Sequence, residues 1–100
     1  MGTIDNKVAI VTGGAGGIGG AIMERFTREG AKLVVADIDE EAAAQRVKQV
    51  AKSGADAISI RTDVTSKSSV GAMVKATFER WGKIDILVNV AGGAQRKSIY

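Results

Sequence analysis

The sequence predicts a single α/β domain, a doubly wound parallel sheet with helices on both faces. Short apolar runs rich in β-branched residues alternate with longer segments of helical periodicity, in the order strand, helix, strand, helix, strand, helix, strand. The runs are nearly continuous in apolar character rather than alternating, as parallel strands buried on both faces are. Gly30, Gly54 and Gly82 each stand just past a helical segment, where a residue in the left-handed conformation commonly ends a helix. Strands joined in this way need crossover connections, and right-handed crossovers give a parallel sheet with expected strand order 3-2-1-4.

The four strand segments are Val8 to Val11, Leu33 to Ala36, Ala57 to Ile60 and Ile84 to Val90. The first helix is expected from Gly17 to Glu29, with Ile18, Ile22 and Phe26 four apart on the side facing the sheet. The second begins after Asp39, which with Glu40 and Glu41 caps the first turn and complements the helix dipole, while Val47, Val50 and Ala51 face inward. The third follows a Thr65 cap and carries the clearest stripe, Val70, Met73, Val74, Thr77, Phe78 and Trp81. The fourth strand is apolar at Ile84, Ile86, Leu87, Val88 and Val90, the pattern of an inner strand covered on both faces.

Composition narrows the function. With 45% hydrophobic, 25% charged and 4% aromatic residues over 100 positions, the chain belongs with ordinary globular proteins. A net charge of +3, with basic residues scattered among acids, gives no case for binding nucleic acid or a membrane surface. Zero cysteines remove any disulfide framework or thiolate metal site, and zero histidines remove the commonest neutral metal ligand. No signal-peptide or membrane-span pattern is visible, and the expected setting is cytoplasmic.

The chemistry is concentrated directly after the first strand, in Thr12-Gly13-Gly14-Ala15-Gly16-Gly17-Ile18-Gly19-Gly20. A helix start offers unpaired N–H groups and a positive dipole end, and glycines let a diphosphate approach them without meeting Cβ atoms. Gly13, Ala15, Gly16, Gly17, Ile18 and Gly19 are therefore the candidate cofactor contacts of an anion cradle; the bland alternative is a glycine-rich turn packing helix against strand. A phosphate loop of the nucleotide-triphosphatase type needs Lys and then Ser or Thr after its last glycine, whereas Gly19 is followed by Gly20 and Ala21. An S-adenosylmethionine-dependent methyltransferase, which also places glycines after its first strand, is a competing enzyme class.

Asp37 closes the second strand. From there a carboxylate accepts hydrogen bonds from both adenosine ribose hydroxyls and repels a 2′-phosphate, which favours NAD over NADP. Ile38 cannot pair with that phosphate, nor can Gly14, Ala15 or Gly16. Asp39 reads as a helix cap.

The sequence resembles the short-chain dehydrogenase/reductase family over nearly its whole length. Thr12-Gly13, Gly17 and Gly19 match the family's Thr-Gly-x-x-x-Gly-x-Gly pattern, and Asp63-Val64 and Asp85-Ile86-Leu87-Val88-Asn89-Val90-Ala91-Gly92 match two further segments. The resemblance implies a Rossmann-type fold in which Asp63 binds the adenine amino group and Val64 lies against the adenine. It also implies that Asn89, Ala91 and Gly92 form the turn that steadies the central strand beside the cofactor. Taken without the resemblance, Asp63 reads as a helix-approach residue and Asn89 as a turn residue. Val90 departs from the pattern, standing where the family usually has a second Asn, so a turn hydrogen bond is expected to be lost. The loop also fits the Gly13-x-x-Gly16-x-x-Gly19 spacing of the superfamily's extended branch, but Gly17 and the Asn89 turn favour the shorter one.

The family's catalytic Ser, Tyr and Lys are not assigned to this chain. Ser98 and Tyr100 follow the fourth strand too closely, and no residue lies four past Tyr100. Domains of this kind run to about 200–250 residues, so the chain reads as the amino-terminal part of one, cut after the fourth strand, poorly stable and inactive alone. The whole protein is expected to be an NAD-dependent oxidoreductase acting on a small alcohol or carbonyl, homo-oligomeric by resemblance. A non-catalytic NAD-binding module is the alternative from another functional class.

Overall fold

The computed structural model describes residues 6–13, 17–90 and 98–99. The elements are β1 (Val8–Thr12), α1 (Gly17–Arg28), β2 (Lys32–Asp37), α2 (Glu40–Ala51), β3 (Ala57–Arg61), α3 (Lys67–Trp81), β4 (Ile86–Asn89) and β5 (Ser98–Ile99). The sheet order is β3-β2-β1-β4-β5, with β1 to β4 parallel as the crossover argument requires. The two-residue β5 was not expected. It pairs antiparallel with β4, Val88 opposite Ile99 and Asn89 opposite Ser98, and so covers part of an edge expected to be open. Two residues carry no periodicity from which a strand could be read.

Side chains alternate across the sheet, so each strand feeds two cores. Ala9, Val11, Leu33 and Val35 pack with Met23 of α1 and Ala43 and Val50 of α2. Ile10, Val34 and Ala36 pack on the opposite face with Met73 of α3. β1 is buried along its whole length, which explains its uninterrupted apolar run.

Three inward-facing expectations are corrected. Ile18 is 69% exposed, because α1 meets the core through Gly19 and Met23 while Ile22 and Phe26 pack at its margin. Ala51 is exposed, because Ala43, Val47 and Val50 form the α2 face and its last residue lies about 100° round the helix from Val50. Phe78 is 49% exposed at the edge of an α3 stripe centred on Met73 and Thr77.

Element ends follow local chemistry. Asp39 caps α2 as expected, its carboxylate accepting the Ala42 N–H at 3.1 Å. The α3 cap is Ser66 rather than Thr65, its hydroxyl accepting the Ser69 N–H at 3.2 Å. The Thr65 hydroxyl is engaged instead by Asp63, to which it donates at 2.6 Å. Ser66→Ala is accordingly expected to lower stability by about 1 kcal/mol in urea denaturation; a change no larger than that of Ser68→Ala would show that the cap contributes nothing. β4 starts two residues later than expected, because Asp85 uses its carboxylate to accept the Val8 N–H at 2.9 Å. That hydrogen bond holds the Asp85 carboxyl below its usual range, with Lys83 adding to the effect. The loop before β3 is tied to the end of α3 through Asp56, which accepts from Arg80 at 2.8 Å and from the Trp81 indole at 3.2 Å.

Among the described residues, no helix is long and apolar enough to cross a membrane, and no cluster of three His, Cys, Asp or Glu residues could hold a metal ion.

Candidate functional site

The carboxyl ends of β3, β2, β1 and β4 lie side by side in that order. This places Asp63 and Val64, then Asp37 and Ile38, then Gly13, then Asn89, along one edge of the sheet. The chain runs from β1 outward to β2 and β3, then returns to add β4 on the other side of β1. The crevice at such a reversal point is where open α/β sheets bind ligands.

At the centre, the ends of β1 and β4 are locked together. The Thr12 hydroxyl donates to Asn89 Oδ1 at 2.6 Å, and the Val90 N–H donates to the Thr12 carbonyl at 2.9 Å. Asn89 is thus the last residue of β4 and cross-braces β1, rather than being a turn residue. Val90 keeps its backbone bond to β1, so what its side chain gives up is an amide and not this link. Gly13 follows with φ +72°, donates its N–H to the Ala36 carbonyl at 2.7 Å, and lies so close to Val90 that a Cβ would overlap the Val90 carbonyl oxygen. Its glycine is required by this β1–β4 approach. Ala15, Gly16, Ala91 and Gly92 lie outside the described residues, as does Tyr100.

Gly17 is different. It opens α1, is exposed, has no left-handed φ, and a Cβ built on it meets nothing within 4 Å. Gly19, by contrast, is buried within α1.

Asp37 is half-buried at the end of β2, and its Oδ1 accepts the Asp39 N–H at 3.0 Å, which fixes the carboxylate at the strand's edge. Asp63 is held from both sides: its N–H donates to the Ser69 hydroxyl at 2.9 Å, and its Oδ1 accepts the Thr65 hydroxyl and N–H. The Thr65 hydroxyl, then the Thr65 N–H, and also the charge of Arg61, hold the Asp63 carboxyl below its usual range against partial desolvation. Both acids are therefore preset by their own loops.

Four large hydrophobic side chains are exposed among the described residues, and three of them, Ile18, Ile38 and Val64, follow the ends of β1, β2 and β3 respectively. Sequence reasoning placed Ile18 on the sheet; its exposure beside the glycine loop is a tertiary result. A cleft of about 580 Å³ lies between α1 and α2, lined by Gly20, Glu24, Arg46 and Gln49 among others, and reaches the strand ends only through Gly17. It holds none of the strand-end acids.

Four parallel strands in the order β3-β2-β1-β4, with helices on both faces and a glycine-rich sequence after β1, define the Rossmann-type class of α/β folds. Within that class the chain belongs to the short-chain dehydrogenase family, whose family model matches residues 7–100. An uncharacterised oxidoreductase of Thermotoga maritima is 44% identical over 97 residues, which cover 97% of this chain and 38% of that protein. A short-chain dehydrogenase/reductase from Burkholderia phymatum, solved in complex with NAD, superposes with a TM-score of 0.83 at 41% identity, covering 88% of this chain and 31% of that one. An actinorhodin polyketide ketoreductase variant, solved with NADPH, gives a TM-score of 0.83 at 39% identity, covering 92% and 35%. The chain thus spans about a third of the length of the relatives it matches.

Proposed function

We propose that this chain forms the NAD-binding part of an oxidoreductase that transfers a hydride between nicotinamide and a secondary alcohol or carbonyl compound. The observation that carries the reading is the convergence at one sheet edge of a glycine-opened helix start, two preset carboxylates and three exposed apolar side chains. Each part fits a portion of the cofactor. The start of α1 with Gly17 would receive the diphosphate on backbone N–H groups. Asp37 would accept the adenosine ribose hydroxyls. Asp63 would accept the adenine amino group, and Ile38 and Val64 would supply apolar surface for the ring. Ile18 would lie against the cofactor beside the loop, while Gly13, Gly19 and Asn89 hold the loop and β4 in place.

When bound, the nicotinamide supplies or accepts the hydride. The Ser, Tyr and Lys that family resemblance implies would act from outside this chain, in a protein we take to be a cytoplasmic homo-oligomer. NAD is preferred because the Asp37 carboxylate repels a 2′-phosphate. In the whole protein, NADH is expected to bind more tightly than NADPH, and Asp37→Ala to shift the ratio of the two affinities towards NADPH by at least about tenfold, the scale of a hydrogen bond to a charged group. Tighter binding of NADPH by the unaltered protein would overturn the NAD assignment.

A further inference from the structure

Cofactor preference at the ribose has a second determinant that the strand register brings into place. Asp37 and Arg61 are direct partners across the β2–β3 pair, and the pairing continues past them through a 2.9 Å bond from the Thr62 N–H to the Asp37 carbonyl. Partners in a parallel pair project to the same face, and neighbouring strands lie about 4.8 Å apart. Both residues fall in step with Leu33 and Ala57, on the face beneath α1 and α2. Arg61 is exposed, so its guanidinium is open to a ligand at the edge. Its charge also helps hold the Asp63 carboxyl below its usual range, and the chain carries Arg61 from its place beside Asp37 to Asp63 within two residues. The nearby stretches Gly13 to Gly20 and Asp37 to Asp39 contain neither Lys nor Arg.

We propose that Arg61 is a specificity-determining residue that favours a 2′-phosphate and so opposes Asp37, leaving the site biased towards NAD yet tolerant of NADP. The inference rests on the NAD-binding reading above. An arginine stays charged at any working pH and can donate two N–H bonds to a phosphate, so its effect should appear with NADPH and be nearly absent with NADH. Preference is then a balance of opposed charges. Removing Asp37 would leave Arg61 to act alone and reverse it.

The test is fluorescence titration of NADH and NADPH against the unaltered whole protein and its Asp37→Ser, Arg61→Ser, Arg61→Lys and Asp37→Ser/Arg61→Ser variants. Arg61→Ser is expected to weaken NADPH by about tenfold while leaving NADH within about twofold. Arg61→Lys should retain part of the NADPH affinity. Asp37→Ser should bind NADPH more tightly than NADH, and adding Arg61→Ser should remove that reversal. NADPH affinities that are the same with and without Arg61 in both backgrounds would overturn the proposal while leaving NAD binding intact. A parallel loss of NADH and NADPH in Arg61→Ser would also overturn it, by showing a structural role. If the unaltered protein bound neither nucleotide, the functional reading would fall and this inference with it.

Discussion

Gly13→Ala is expected to damage the fold severely. The residue has φ +72°, a conformation that costs a side chain about 1–2 kcal/mol. The new Cβ would also overlap the Val90 carbonyl oxygen, which is backbone and cannot swing aside. Relief requires β1 and β4 to separate at the point where Thr12 bonds Asn89 and the Thr12 carbonyl accepts the Val90 N–H. Together these effects are expected to destabilise by at least about 3 kcal/mol, a large part of a small domain's stability. Urea denaturation measures the loss directly. A loss below about 1 kcal/mol would mean that the β1–β4 approach is looser than described. Weakened nucleotide binding in this variant would follow from the damaged sheet and would say little about the cradle itself.

Gly17→Val separates the cradle from the fold. Nothing described lies within 4 Å of a Cβ at this position, and its backbone needs no left-handed φ. Valine is also somewhat better tolerated in a helix than glycine, so stability is expected to stay within about 0.5 kcal/mol of the parent. The same open space is where the diphosphate would approach the first turn of α1, and a branched side chain there would hold it off the N–H groups. Nucleotide binding is expected to fall by at least about a hundredfold, equivalent to about 2.7 kcal/mol. A folded Gly17→Val variant with a near-normal NADH titration would refute the cradle. The two glycines stand close together in one motif, yet one is required by the protein's own backbone and the other by what is proposed to bind it.

The elements that could be read from the sequence are those whose cause is local. Three helices and four strands follow from periodicity. The left-handed glycines at 30, 54 and 82 have φ between 78° and 90°, and Asp39 caps the helix that follows it. Where two local choices compete, the sequence reading slips by a residue or two. Thr65 and Ser66 are both competent caps, and the choice fell to Ser66 because Asp63 takes the Thr65 hydroxyl. The apolar Ile84 predicts a strand start that the structure places at Ile86, because the Val8 N–H is taken by the Asp85 carboxylate.

The sequence by itself determined the alternating architecture, the glycine turn after the first strand, and the acids closing the second and third strands, because each depends on residues near one another along the chain. The tertiary structure alone decided that Thr12 braces Asn89, 77 residues away, that Gly13 lies against Val90, and that Arg61 stands beside Asp37. It also decided that Ile18 and Phe78 face outward from stripes that read as buried. The physical reason is register. How far one strand slides along its neighbour, and how each helix turns on the sheet, are settled by packing both faces of the sheet at once, and no window of sequence contains both partners.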